Sequence, residues 1–299
     1  MSRSNGPAVV AIGGGHGLST SLRAVRTYAA SITAIVSVAD DGGSSGRLRT
    51  DFGMAAPGDI RRCLSALAAD GSLLGGALEH RFARGDLAGH ALGNLLLAGL
   101  AESSGTFEAA VEEVARLVGA VGRVVPATSE PVELVGEGSA GRVAGEVAIK
   151  KSGVETVHIE PETVGTPLVA VDAILAADQV VLGPGSLYTS VLAAAVAPAV
   201  RAALEQTSAQ RVYVCNLRHE AFETLAHDAA DHVAALARHG IPIDVVLRHP
   251  GALPGAEIAA AVVEAPVADT RGQTHDPVLL GAALGDLASE SLRARAPSN

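Results

Sequence analysis

A continuous apolar run, Ala8 to Ile12, ends at Gly13-Gly14-Gly15-His16-Gly17, and from Leu18 to Ala30 apolar residues recur at helical spacing. A second continuous run, rich in β-branched residues, follows from Ile32 to Ala39. Strands with no polar alternation are buried on both faces, the habit of a parallel sheet layered between helices. The pattern predicts a doubly wound α/β domain with a mostly parallel sheet.

Between Pro57 and Val121 the pattern is helical, with Ile60/Leu64/Leu67, Leu92/Leu95/Leu96/Leu100 and Val111/Val114/Leu117/Val118 at three- and four-residue steps. Residues 57–121 therefore read as a helical insert of about four helices. From Val124 to Glu160 short alternating pieces with glycine punctuation predict a small hairpin-rich subregion, residues 124–160. The α/β rhythm then resumes. Helices are expected at Leu168–Ala177, Tyr188–Val196 and Glu223–Arg238, and strands at Gln179–Leu182, Arg211–Asn216 and Ile243–Leu247. No internal repeat interrupts this order, so one domain over residues 1–299 is the expectation, with a frayed polar tail from Arg293.

Composition sharpens the picture. The 299 residues are 48% hydrophobic but include only 4 Phe, 3 Tyr and no Trp, so the core is built from Ala, Val, Leu and Ile. With 32 acidic against 22 basic residues the formal charge is −10, and Lys150 and Lys151 are the only lysines. Nucleic acid and anionic membrane surfaces are thereby excluded as main partners, because both require a basic stripe. The apolar surroundings of Cys63 and Cys215 read as buried, reduced thiols, which places the chain in the cytoplasm. The longest helix-like apolar run, Leu192 to Val200, contains Pro198 and falls short of the roughly 20 residues a bilayer requires, so no membrane insertion is expected.

Three glycine-rich loops follow strands, where open α/β sheets bind ligands. In Gly13-Gly14-Gly15-His16-Gly17 the backbone can approach a phosphate and a helix N-terminus offers unpaired N–H groups. Leu18 holds the third glycine place of the dinucleotide fingerprint and no P-loop exists, so a purely structural turn stays open, as does an idle His16. In Asp40-Asp41-Gly42-Gly43-Ser44-Ser45-Gly46-Arg47 a carboxylate sits where ribose hydroxyls are often met, while paired carboxylates also suit Mg²⁺ and a solvated turn is the bland alternative. The third, Gly183-Pro184-Gly185-Ser186-Leu187-Tyr188-Thr189-Ser190, brings a hydroxyl near a helix start. Two such loops in one sheet suit a ligand with a central diphosphate.

Weaker candidates are Pro57-Gly58-Asp59-Ile60-Arg61-Arg62, with two guanidiniums near a helix start, and Gly89-His90-Ala91-Leu92-Gly93-Asn94, with His90 and Asn94 four apart. The 10 histidines show no zinc-ligand spacing, and the nucleophile elbow is absent because leucine follows Ser186.

In this order the stretches AIGGGHGLST, ITAIVSVADDGGSSGRLR, PGDIRRCLSALA, GHALGNLLLAGL, GRVVPAT, VVLGPGSLYTSV, VYVCN and DHVAAL resemble the gluconeogenesis factor family, which is related to 2-phospho-L-lactate transferase. The resemblance runs from about residue 8 to residue 247, with a looser echo at Thr274-His275-Asp276-Pro277. It implies a Rossmann-like, CofD-type three-layer fold and binding of UDP-N-acetylglucosamine without turnover, hence no catalytic residue and no required cofactor. It also implies a regulatory role between carbon metabolism, peptidoglycan supply and cell shape, exerted through a protein partner. The related transferases use Mg²⁺ to move a phospholactyl group, and on that alternative Asp40 and Asp41 are the metal ligands; a homodimer is expected by the same analogy. The transferases' first loop looks like GGTGG, a small residue and lysine, whereas this chain reads GGGHGLS.

Carried over by resemblance, the ligand-binding positions are Gly13, Gly14, Gly15, His16, Gly17, Leu18, Asp40, Asp41, Ser44, Ser45, Arg47, Asp59, His90, Asn94, Gly183, Gly185, Ser186 and Asn216. The chain departs from the family where a Thr-Gln-Pro-Gly-Glu-Thr-like stretch becomes Leu217-Arg218-His219-Glu220-Ala221-Phe222-Glu223-Thr224, and where a late tyrosine and an arginine before His275 are missing. Tyr188 is then the one aromatic residue expected beside the cleft, and any base is held mainly by backbone amides, aliphatic walls, Asp and Arg.

Overall fold

The computed structural model describes residues 6–139, 141–220, 223–224, 227–253, 255 and 257–295. Ala221 and Phe222, within the departing stretch, and the tail beyond Arg295 lie outside the described residues.

Among the described residues ten strands form two sheets. They are β1 (Ala8–Gly13), β2 (Ser31–Val36), β3 (Arg123–Pro126), β4 (Glu133–Gly138), β5 (Gly141–Ala144), β6 (Thr156–Glu160), β7 (Gln179–Leu182), β8 (Gln210–Val214), β9 (Val245–Arg248) and β10 (Ala261–Glu264). The main sheet has seven strands in the order β10-β9-β8-β7-β1-β2-β3, and every pair in it is parallel. Strand order reverses between β1 and β7, which are neighbours on the sheet but far apart in the chain. That reversal is the topological switch point, where doubly wound sheets open a crevice beyond their carboxyl ends.

Helices Gly15–Val25, Pro57–Leu67 and Pro277–Arg295 pack on the sheet as one group, and Leu168–Ala176 with Pro198–Gln206 form another. Val9 to Gly13 of β1 are fully buried, as a strand covered on both faces must be. The core is mainly aliphatic, with Tyr188 and Tyr213 the only fully buried large aromatics among the described residues.

The insert holds the four expected helices: Pro57–Leu67, Leu73–Ala77, Leu92–Ser104 and Phe107–Val118. The hairpin subregion is a three-stranded antiparallel sheet, β5-β4-β6, with a one-turn helix Glu146–Ile149 between β5 and β6. Its first piece differs from expectation: Arg123–Pro126 pairs with β2 and closes the main sheet instead.

Other departures have clear causes. The loop read at 40–47 runs into a helix, Gly43–Phe52, whose only buried apolar side chain is Leu48, so it carries no apolar period to detect. The expected helix Tyr188–Val196 begins as a π-helical turn, Leu187–Leu192. The expected helix Glu223–Arg238 starts at Ala229, behind a capping box between Asp228 and Asp231; Leu225 and Ala226 lie outside the described residues. Strand β10 is a mostly exposed edge strand, and the apolar run Ile258 to Val263 that carries it was not among the expected strands. Helix Pro277–Arg295 was unforeseen although Leu280, Leu284 and Leu287 carry its spacing. Both cysteines are free and buried; burial raises both thiols, Cys215 to about 12. Among the described residues no single helix is long and apolar enough to cross a membrane.

Candidate functional site

The loops after β1 and β7 interlock at the switch point. A Cβ on Gly17 would stand 1.9 Å from the Pro184 carbonyl oxygen, so only glycine lets the two backbones meet. Ser21 Oγ donates to the Gly183 carbonyl at 2.7 Å, tying the first helix to the same loop. Asn216, just beyond β8, accepts from the Gly185 N–H and donates to its carbonyl, each at 3.0 Å. Ser186 Oγ donates to Glu220 at 2.6 Å. Side chains from three consecutive strand ends thus hold one rigid floor.

Two chambers open on this floor and a third adjoins the first. The first, about 420 Å³, lies over Gly14, Gly15, His16 and Gly17 and is walled by Asp40, Asp59, Arg62, Glu146, Lys150 and Ser190. The second, about 610 Å³, shares His16, Gly17, Lys150, Gly185, Ser186 and Glu220 with it. It extends over Asn216, Leu217, Arg218 and His219 to Gln273, Thr274 and His275. The third, about 210 Å³, adjoins the first at Asp40 and Arg62 and includes Ser44, Ser45, Arg61, Arg81 and Asn94. The first two fall in the size range of small-molecule sites, roughly 300–1,000 Å³.

The first chamber is electrostatically loaded. Burial raises the Asp40 carboxyl, opposed by the Gly42 N–H and Ser45. Burial, then the charge of Asp40, pushes Glu146 up to about 8. Burial alone would depress Lys150, but its ion pair with Glu146 at 3.3 Å overrides this and leaves it raised. Asp59 is held by Arg62 at 2.7 Å, and burial followed by Arg62 lowers His16. In the second chamber burial lowers His275 to about 4, so it is a neutral wall near pH 7.

Most of the residues singled out in the sequence are brought together, though not all on the walls. Gly14, Gly15, His16, Gly17, Asp40 and Asp59 line the first chamber, Gly185 and Ser186 line the first two, Asn216 the second, and Ser44, Ser45 and Asn94 the third. Gly13 ends β1 and Gly183 lies behind the turn, held by Ser21; Leu18 is fully buried in the core. His90 Nδ1 and Asn94 Nδ2 both meet Ser44 Oγ at 3.1 Å, so that pair organises the serine from behind. Arg47 reaches the Ala88 carbonyl at 3.4 Å and lines none of the three chambers. Tyr188, expected beside the cleft, is instead fully buried with its ring 6.1 Å from that of His227 and 6.3 Å from that of His239.

Asp40 and Asp41 part company. Asp41 Oδ1 accepts from the Val147 N–H at 3.0 Å, while Asp40 Oδ1 accepts from Gly42 at 2.8 Å and faces the chamber. Asp41 lines none of the three chambers, so the two carboxylates are not presented to a ligand side by side, and among the described residues no group of three His, Cys, Asp or Glu side chains converges on a metal position. Glu146, Lys150, Ser190 and Glu220 were missed as wall residues. The rarity of lysine was the one signal that pointed at Lys150.

Fold and site together define a Rossmann-like α/β protein with a glycine-floored polar cleft at its switch point. The family described as 2-phospho-L-lactate transferase CofD matches residues 9–275. The gluconeogenesis factor of Halalkalibacterium halodurans is 43% identical over 246 residues, covering 80% of this chain and 76% of that protein. That of Bacillus subtilis is 43% identical over 237 residues, covering 78% and 75%. The chain spans about half, 52%, of the length of a 46% identical relative from Nostoc sp.. A crystal structure of a UPF0052 family member from Bacillus halodurans superposes with a TM-score of 0.87 at 35% identity, covering 94% of this chain and 99% of that one. The chain belongs to the gluconeogenesis factors of the CofD family.

Proposed function

We propose that the first two chambers bind a nucleotide sugar, UDP-N-acetylglucosamine, and that binding is regulatory, without turnover. The observation that carries this reading is the meeting of the Gly13–Gly17 and Gly183–Ser186 loops at 1.9 Å from a Gly17 Cβ to Pro184, which brings two anion-binding loops under one ligand. A diphosphate lying there is met by backbone amides and by Lys150, which lines both chambers. Asp40, Asp59 and the carboxyl of Glu146, which burial keeps protonated below about pH 8, offer oxygens of the first chamber to sugar hydroxyls. The uridine fits the second chamber, against Pro184, Leu217 and neutral His275, with no aromatic stacking.

In this reading the ligand reports peptidoglycan precursor supply to carbon metabolism and cell shape in the cytoplasm, through a protein partner, with a homodimer as the working assembly. Titration calorimetry of the purified protein with UDP-N-acetylglucosamine tests it. One-site heat with the nucleotide sugar recovered intact is the expected result; absence of heat at millimolar ligand sinks the reading. The transferase alternative requires Mg²⁺-dependent release of a nucleoside monophosphate from the donor, and the divergence of Asp40 and Asp41 argues against those two residues as its metal ligands.

A further inference from the structure

The third chamber is not needed by the nucleotide sugar, and its chemistry differs from that of the other two. Three guanidiniums, Arg61, Arg62 and Arg81, line it against a single carboxylate, Asp40, in a chain whose net charge is −10. Helix Gly43–Phe52 starts on its wall, and its first intrahelical bond runs from Gly46 to the Gly42 carbonyl. The N–H groups of Gly43, Ser44 and Ser45 are therefore without helical acceptors at the positive end of the helix dipole.

A second observation is independent of that helix end. Arg61 is 2% exposed and lines the chamber, yet its Nε has no acceptor among the described residues. Its ion pair with Glu79 runs through Nη2 at 3.3 Å and leaves Nε unpaired. The Arg62 Nε is likewise buried without an acceptor. Arg81 has no carboxylate within ion-pair distance among the described residues and donates instead to the Gly89 carbonyl. A buried guanidinium donor with nothing to bond is costly, and an oxyanion is the partner its planar fork fits. At about 210 Å³ the chamber is half the size of the first, too small for a nucleotide but adequate for a phosphoryl group on a short carbon chain.

We propose that this chamber is a second ligand site, which takes a compact phosphate, free or as a small monoester, independently of the nucleotide sugar next door. Ser44 and Ser45 with the three amides hold one side of the tetrahedral dianion, and Arg61, Arg62 and Arg81 hold the other. Asp40, shared by both chambers, keeps the two ligands apart.

Titration calorimetry with inorganic phosphate and with glycerol 3-phosphate tests the site on the intact chain, with and without saturating UDP-N-acetylglucosamine. One-site binding is expected, and the tighter of the two probes identifies the form the chamber takes. Arg81→Gln, a change at an exposed residue whose folding is checked by thermal unfolding, weakens phosphate binding by at least about tenfold, as loss of a charge-assisted bond requires; Arg84→Gln, outside the chamber, changes it by less than about twofold. Phosphate affinity stays the same when the nucleotide sugar is bound. Absence of phosphate heat, equal effects of the two variants, or competition between phosphate and nucleotide sugar each overturns the proposal. The phosphate and Arg81 results do not depend on the nucleotide sugar, so failure of that ligand to bind leaves this test intact.

Discussion

Asn216 brackets Gly185: its Oδ1 accepts from the glycine N–H and its Nδ2 donates to the glycine carbonyl, each at 3.0 Å. Gly185 has φ of +135°, a conformation that side chains rarely adopt, and the two bonds hold it there. The polar atoms of Asn216 are thus spent on shaping the cleft floor. Asn216→Ala is expected to cost about 2 kcal/mol of stability, two hydrogen bonds at about 1 kcal/mol each, and to weaken nucleotide-sugar binding severalfold. Asn216→Asp keeps one bond and sets a carboxylate against a carbonyl, so it falls no better than alanine in thermal unfolding and calorimetry.

Gly17→Ala pushes a methyl onto backbone rather than onto a movable side chain, 1.9 Å from the Pro184 oxygen and 2.6 Å from its carbonyl carbon. The two loops must separate. An overpacking cost of roughly 1–3 kcal/mol and loss of measurable nucleotide-sugar binding are expected, checked by denaturant unfolding and titration.

Glu146 makes the first chamber sensitive to pH. Its folded-state value, about 8, lies above the ordinary 4.5, so the folded protein holds a proton the unfolded chain has released between those values. Stability from this group is therefore full below about pH 4.5 and declines as pH rises toward 8. Glu146→Gln removes the dependence: relative to wild type it gains on the order of a few kcal/mol between pH 4.5 and 8, read as the difference in unfolding free energy at the two ends.

His232 and His275 carry the opposite sign. Burial depresses both to about 4, with His227 adding to the effect on His232. The unfolded chain takes up protons near pH 6.5 that these rings refuse, so their contribution is present above that value and is lost as pH falls toward 4. Imidazole resonances followed by NMR are expected to show no protonation of either ring between pH 8 and 5.5.

Asp41 acts through the helix it caps. Its Oδ1 holds the Val147 N–H at the start of Glu146–Ile149, the turn that brings Glu146 to the cleft with Lys150 beside it. Asp41→Asn keeps that acceptor and leaves binding within about twofold, whereas Asp41→Ala loses a cap of about 1 kcal/mol and weakens binding about fivefold. A direct metal ligand would fail equally in both, which calorimetry distinguishes.

The parts legible in the chain were those with a local cause. The unbroken apolar runs Ala8 to Ile12 and Val180 to Leu182 lie in strands covered on both faces, so their composition alone marks them as central strands. Glycines at 13–17 and 183–185 mark the loops that follow. Helix Gly43–Phe52 left no trace because its stability comes from docking, with Leu48 as its one buried apolar side chain.

What only the tertiary structure decided is which polar groups meet. Asp40 and Asp41 are adjacent in sequence, yet one faces the chamber and the other a helix start 106 residues away. Lys150 and Glu146 reach the cleft from the small antiparallel sheet, and Arg61 and Arg81 converge on Ser44 from separate elements of the helical insert. Hydrophobic period is a property of a segment and survives in one dimension; a binding site is a coincidence of side chains from segments far apart, and only packing brings them within reach.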